Sequence, residues 1–454
     1  MKSCDKSKTV TQFLDEEYLG YAKYVVDSRA IPSAVDGFKP SQRKIAHAAN
    51  VIWKTGREKP MKVFQLGGSA ASISRFHHGS LDGTIIGMTQ EFKNSMPIFD
   101  GIGQFGSLRS PDPGAPRYIG VVANDNFRLL YKDSDLCEPQ FEEGDEIEPK
   151  FFLPIIPTVL LNGGSGIAVG FATNILNRNP IELIDACLDV LAGRPVGELA
   201  PWIRGFEGKF KKSNDSERSW VIEGVLDVKN ATTVEVTELP PSMTYEKYEQ
   251  HLESLIERGI ISSYDDASAE RPSYTIKFPR ATLSSLVEKD RLVGTLALRE
   301  REGENYTVLD DQQRVKVFDG PEEIVRWFVG LRLKYYEVRK AKELVAIEAN
   351  IATTRNRLRF VKEVIAETIM IGGRPRLEIE SELSSKKFDR RDGEYDYLLG
   401  MSIFSLTKEK ILELKAQLDN LEKRAAEISS VTPEKMYELD LKELRKLVGK
   451  SKRK

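Results

Sequence analysis

Apolar positions recur three and four residues apart across much of the first fifty residues. YLGYAKYVVDSRAI carries the pattern, and so does SQRKIAHAANVIWK beyond Pro40. Pro32, Gly37 and Pro40 punctuate the loop between the two. SAASISRF and LDGTIIGMTQEF repeat the pattern on a shorter scale, so the first hundred residues predict short helices joined by tight turns. The segment FDGIGQFGSLRSPDPGAPRYIGV is too rich in Gly and Pro for regular helix and predicts a loop with a specific backbone path. VLLNGGSGIAVGFATNI sets small residues around Ile167, which fits either a close approach of backbone to a ligand or a tightly packed turn in a sheet. From Trp220 to Val317, strand-like pieces (WVIEGVLDV, TTVEVTEL, YTIKF) alternate with the helix-like EKYEQHLESLIERG, the pattern of a separate α+β domain. Pro321 then opens a helical run of roughly 45 residues, about 70 Å if continuous. SLTKEKILELKAQLDNLEKRAAEI is positioned to return antiparallel to it. Both runs are strongly charged away from their apolar stripes, which favours a projecting arm over a hairpin folded back on its own domain. The insert between them, ending in YDYLLGMSIF, holds enough aliphatic and aromatic residues for a compact knob.

Composition narrows the class. A chain of 454 residues exceeds one ordinary core, and 40% hydrophobic with 30% charged residues is a globular composition. No apolar run is long enough to span a bilayer, and the first residues lack the apolar core of a secretory signal, so an intracellular protein is expected. Cys4, Cys137 and Cys187 lie far apart without metal-ligand spacing and read as reduced structural thiols. The net charge of -2 argues against a protein that coats nucleic acid along its length. Basic residues nevertheless outnumber acidic ones over positions 1–120, while 133–148 is densely acidic. Short helices with basic side chains near their starts suit a helix-turn-helix or winged-helix reader of duplex DNA, although most small helical clusters bind none. The Gly-rich segment lacks the spacing and terminal Lys of a phosphate-cradling loop, which excludes an ATP site there.

An ordered series of segments decides between these readings: SRAIPSAVDGFKPSQRKIAHA, FHHGS, GQFGS, APRYIG, LPIIPTVLLNGGSGIAVGFATNI and YDYLLGMSIFSLTKEKI. The series resembles the breakage-reunion subunits of type IIA DNA topoisomerases, a family that includes the gyrase A subunit, the C-terminal half of eukaryotic topoisomerase II and the topoisomerase IV cleavage subunit. The resemblance runs from about Phe13 to Leu447. The HHG and LLGMSIFSLTKEK phrasing is most similar to the medium subunits of T-even-type bacteriophage topoisomerases. It implies an α+β, multidomain fold: a winged-helix DNA-gate domain over 1–150 and an α+β tower over 151–320. It also implies a long antiparallel coiled-coil arm over 321–371 and 403–454, and a dimerisation knob over 372–402.

The resemblance implies site residues as well. Tyr118 becomes the nucleophile that takes the DNA 5′ phosphate, and Arg117 supplies the positive charge that a phenol of pKa near 10 needs to attack at neutral pH. Arg29 matches the family's phosphate-contacting arginine and His78 its active-site histidine, with His77 as neighbour. Lys39, Arg43 and Lys44 are expected on the DNA backbone. Ile167 matches the residue that wedges between base pairs, against which stands an ordinary buried isoleucine. The segment SLDGTIIGMTQ is about two residues shorter than the family pattern. With no room for a DNA-wrapping C-terminal domain, relaxation and decatenation are expected rather than supercoil introduction.

Partners follow from what the resemblance leaves unassigned. No acidic cluster reads as the family's magnesium-binding set, so a companion polypeptide is expected to bring the ATPase, with its ATP, and the Toprim domain, with its Mg2+. One tyrosine per chain cuts one strand, so double-stranded DNA requires a homodimer, its second gate closed by the knob near Tyr397 to Phe404. The expected location is the cytoplasm of a bacterial or phage-infected cell, with no membrane partner. Two rivals remain at this level: a non-enzymatic winged-helix protein with a dimerising coiled coil, and a metal-dependent nuclease that leaves free 5′ phosphates.

Overall fold

Proline at the first helical position presets φ, and helix α1 (Pro40–Ile52) starts there, its N-terminus closed by the Lys39 N–H donating to Gln42 Oε1 at 2.9 Å. The computed structural model describes residues 10–53, 59–76, 79–391, 393–402 and 406–451. It divides into two compact units, residues 1–332 with 440–454, and residues 333–439.

In the first unit α1 packs with α2 (Val63–Ile73) and α3 (Asp82–Thr89), burying Ile45, Ala49, Leu66, Ala70, Ile85 and Ile86. Beside the three helices lies a small antiparallel sheet of β1 (Met61–Lys62), β2 (Phe99–Ile102) and β3 (Gly120–Ala123) in the order β1–β3–β2. Three short helices with such a sheet form a winged-helix arrangement. Phe38, Tyr131 and Phe152 pack against one another at ring separations of 5.4–6.3 Å. Next to them, the fully buried Asp36 carboxylate accepts from Arg43 Nε at 2.8 Å and from the backbone N–H groups of Phe38 and Phe152, each at 3.0 Å. One buried charge thereby joins α1, the loop before it and the segment 116 residues downstream.

Further along the same unit a four-stranded antiparallel sheet runs in the order Val225–Asn230, Thr233–Glu238, Tyr274–Lys277, Ser263–Asp266. Alternation places Val234, Val236, Tyr274 and Ile276 on one face, where Tyr248, Leu252 and Leu255 of the helix Tyr245–Glu257 cover them. Each fully buried aliphatic there contributes roughly 1.5–3 kcal/mol. A second sheet pairs Arg299–Gly303, Ser219–Glu223 and Lys209–Lys212. Next to it the fully buried Arg178 and Glu304 meet at 2.7 Å, and Glu304 also accepts from Trp220 Nε1 at 2.8 Å and Tyr306 OH at 2.7 Å. No buried charge of this pair lacks hydrogen bonds, as burial requires.

The helix Pro321–Ile365 continues for 45 residues. Within the second unit its later turns pair with the helix Lys408–Ser430: Lys340 donates to Ser429 O at 2.9 Å, Arg355 meets Glu422 at 2.8 Å, and Leu358 and Val361 pack on Leu414. Contacts advancing along one helix and receding along the other define an antiparallel pair. Between the two, Phe360, Ile369, Ile379, Leu383, Phe388 and Leu398 form a separate small core. Ile403 and Phe404, expected at the end of the knob, lie outside the described residues. Among the described residues no helix is long and apolar enough to cross a membrane.

Candidate active site

The loop between β2 and β3 carries Tyr118. Pro113, Gly114 and Pro116 exclude helix, and the chain closes a turn in which the Tyr118 N–H donates to Ala115 O at 2.9 Å. Ile119 is 3% exposed and anchors the turn in the core, whereas Tyr118 is 68% exposed. An exposed phenol held next to a buried anchor is an uncommon use of a large aromatic, because full burial is its favourable state. The Arg117 guanidinium carbon lies 4.8 Å from the Tyr118 ring centroid, a cation–π distance that keeps positive charge beside the phenol. Lys62 donates to the Tyr118 carbonyl at 2.7 Å. Sequence reasoning missed Lys62, since nothing local marks a contact across 56 residues.

The same loop is fastened at Arg109. Its buried guanidinium donates to Pro240 O at 2.8 Å, Met243 O at 2.9 Å and Leu239 O at 2.6 Å, and it pairs with Glu238. Arg109 was also missed; its position in GQFGSLR reads as a loop residue until a carboxylate from a distant strand is found against it.

A second group of candidates gathers around the π-helical turn Val26–Ala30. Arg29 is exposed there and lines a cleft of about 920 Å³ together with Tyr24, Ser28, Lys44 and Arg75. Tyr118 and Arg117 do not line that cleft. Ile167 lies on the hairpin of Gly164–Ile167 and Ala172–Ile175, and at 87% exposure it is no core isoleucine. Gly166 brings this hairpin onto the turn: a Cβ on it would sit 2.0 Å from Ala30 O, so no other residue fits without displacement. Lys39 Nζ donates to Ser165 O at 2.7 Å, and burial lowers the pKa of its ammonium. The close approach of Gly166 to Ala30 and the bond from the Lys39 side chain to Ser165 O therefore bring Arg29, Lys39 and the Ile167 hairpin together.

Two expected DNA contacts are committed elsewhere. Arg43 points from α1 into the protein interior, and Asp36 and Phe38 O occupy its guanidinium, so the expectation of a phosphate contact is corrected: Arg43 holds the fold. Lys44 lines the cleft, yet its ammonium meets Glu148 at 2.6 Å and Ser74 O at 3.0 Å. His77 and His78 lie outside the described residues. Among the described residues no group of three or more His, Cys, Asp or Glu is arranged to hold a metal ion.

Comparison with known proteins follows the same line. The profile of the A subunits of DNA gyrase/topoisomerase IV matches residues 29–445. The chain is 31% identical over 448 residues to the DNA topoisomerase medium subunit of Enterobacteria phage T4, spanning 97% of this chain and 99% of that one. DNA topoisomerase 2 of Arabidopsis thaliana is 31% identical over 499 residues, 97% of this chain and 33% of that protein, so the chain spans about a third of that relative. The crystal structure of the Plasmodium falciparum topoisomerase II DNA-binding, cleavage and re-ligation domain superposes with a TM-score of 0.86 at 28% identity, covering 97% of this chain and 65% of that one. With a profile matched over most of its length and a relative of its own size, the chain belongs to the family of DNA gyrase/topoisomerase IV A subunits.

Proposed function

We propose that this chain is the DNA cleavage and religation subunit of an ATP-dependent type IIA DNA topoisomerase and that Tyr118 is its nucleophile. The observation that carries the reading is a phenol exposed at 68% on an anchored turn, with the Arg117 guanidinium 4.8 Å from its ring. Tyr118 gives up its phenolic proton, its oxygen attacks phosphorus, the bond from phosphorus to the 3′ oxygen breaks, and that oxygen takes a proton to leave as a hydroxyl. One phosphodiester replaces another, so rejoining is the reverse step and needs no ATP. Arg117 offsets the charge that develops at the phosphate, and Arg29 offers a fork for a non-bridging oxygen. His78 is assigned the role of donating to the developing charge or assisting proton transfer, with His77 its neighbour in sequence. Lys39 faces the duplex backbone, Lys44 reaches it only by giving up its pairing with Glu148, and Ile167 wedges between base pairs, which suits its exposure.

Two copies related by a two-fold axis cut both strands of double-stranded DNA. Residues 1–150 form the DNA gate, 151–320 the tower, and 321–371 with 403–454 the arm, while 372–402 form the knob that closes the second gate. ATP and Mg2+ are used by the enzyme as a whole: ATP is bound by a partner with ATPase and Toprim domains, and Mg2+ mainly by that partner's Toprim domain. The assembly relaxes or decatenates DNA in the cytoplasm of a bacterial or phage-infected cell. Tyr118→Phe in the assembly reconstituted with its partner, magnesium and plasmid is expected to abolish denaturant-resistant protein–DNA adducts while salt-sensitive DNA binding persists. Adducts surviving in that variant overturn the assignment.

A further inference from the structure

The turn that holds Tyr118 has few bonds of its own. Its N–H groups use Ala115 O, and the strand β3 begins two residues later at Gly120. The Tyr118 carbonyl therefore lies outside the ladder between β1 and β3, which pairs Lys62 with Gly120 and Met61 with Val121. Lys62 supplies what the ladder does not. Its backbone is fixed on both sides: by the pairing with Gly120, and by Val63 N donating to Ile119 O at 3.1 Å. Gln65 Oε1 accepts from the Lys62 N–H at 3.0 Å. From that fixed base the side chain reaches back over the turn, and its ammonium donates to Tyr118 O at 2.7 Å. The side chain is exposed, so it adds little to the core. An ammonium has three donors and this contact uses one.

We propose that Lys62 is a positioning residue for the nucleophile: it clamps the Tyr118 carbonyl from the neighbouring strand and so fixes the direction in which the phenol leaves the turn. The inference rests on the reading of Tyr118 as nucleophile. Arg117 acts on the ring and Lys62 on the backbone, so the two cations constrain different torsions of the same residue. In-line attack on phosphorus requires the phenolic oxygen within a fraction of an ångström of its productive place. Losing the clamp slows adduct formation by roughly tenfold to a hundredfold, the size of effect expected from a misplacement of about 1 Å.

The test uses the assembly reconstituted with its ATPase/Toprim partner, magnesium and plasmid. Single-turnover adduct formation is measured against DNA concentration for the wild type, Lys62→Ala, Lys62→Arg and Tyr118→Phe. Expected is a drop of about tenfold or more in the saturating rate for Lys62→Ala, half-saturation within about threefold of wild type, and recovery of most of the rate in Lys62→Arg, which can still donate to the carbonyl. Three results overturn the inference: a wild-type saturating rate in Lys62→Ala, a defect that vanishes at saturating DNA, or no recovery with arginine. The second marks Lys62 as a phosphate contact only, and the third marks a general structural role. Tyr118→Phe keeps the two readings apart. If it still forms adducts, the nucleophile assignment fails whatever Lys62 does; if it is inert while Lys62→Ala matches wild type, only the inference about Lys62 fails.

Discussion

Arg109→Ala tests how firmly the tyrosine loop is tied to the sheet beside it. The native guanidinium is 4% exposed and satisfies three carbonyls, Pro240, Met243 and Leu239, besides pairing with Glu238. Truncation leaves the Glu238 carboxylate, itself 7% exposed, with the N–H groups of Leu239 and Glu207, both at 3.1 Å, as its donors among the described residues. Removing one partner of a buried ion pair costs about 3–5 kcal/mol, because the remaining charge stays desolvated. Taking a urea m-value of about 3 kcal/mol/M, the midpoint falls by roughly 1 to 1.7 M. Tryptophan fluorescence is a suitable probe, since Trp220 is buried in the strand Ser219–Glu223. The pair also makes a cycle possible: Arg109→Met with Glu238→Gln is expected to be less destabilised than the sum of the single changes, with a coupling of about 1–3 kcal/mol. A loss below about 1 kcal/mol in Arg109→Ala, or strictly additive single changes, refutes the reasoning.

Ile167→Ala removes an exposed side chain, so stability is expected to stay within about 0.5 kcal/mol of wild type. The bend of a bound duplex, read by energy transfer between end labels, should decrease; an unchanged bend counts against the wedge. Gly166→Ala forces the hairpin off Ala30 O, and adduct formation in the reconstituted assembly is expected to fall by about tenfold or more with the chain still folded. Wild-type adduct levels would show that alignment of Arg29 with Ile167 is dispensable. Burial pushes the Cys137 thiol up to about 12, so at pH 8 the thiolate is on the order of one part in ten thousand. Peptide mapping after iodoacetamide treatment should find Cys137 labelled far more slowly in the native chain than in urea, and equal rates would contradict the burial argument.

What the sequence made legible depends on how local each signal is. Proline at a helix start located the helix Pro321–Ile365, because one residue's fixed φ acts where it stands, and Pro40, read as the end of a loop, is itself the first residue of α1. Alternation located the strands carrying Val234, Val236, Tyr274 and Ile276 for the same reason. Helix α2 was less accessible: the pattern marks SAASISRF, yet the helix starts at Val63 and runs through Gly67 and Gly68. Each glycine disfavours helix by about 1 kcal/mol, and burial of Val63, Leu66 and Ala70 outweighs that. A Cβ on Gly67 would lie 2.7 Å from Asp82 Oδ1, so the helix carries that glycine for the sake of its neighbour. Arg43 was misjudged because a charge reads as surface until its partner is in view. Asp36 stands only seven residues earlier, and it reaches Arg43 because the chain reverses at Gly37 with φ of +69°. Tyr118 and Arg117 are proposed from their neighbours in order, whereas Lys62 and Arg109 act across distances the local pattern does not encode.

These long-range contacts explain how a segment so rich in glycine and proline can hold Tyr118, the proposed nucleophile, in place. A loop without repeating hydrogen bonds has many backbone conformations, and each must be excluded by something outside the loop. Here the exclusions come from three sides. Arg109 fastens the middle of the loop to Glu238 and three carbonyls, Ile119 is buried immediately after the tyrosine, and Lys62 holds the carbonyl between them. Tyr118, exposed at 68%, is enclosed by these restraints. Its backbone is ordered before any substrate arrives, so in the proposed reaction binding does not have to supply that ordering, and more of the binding energy is available for bending the duplex and aligning the phosphate.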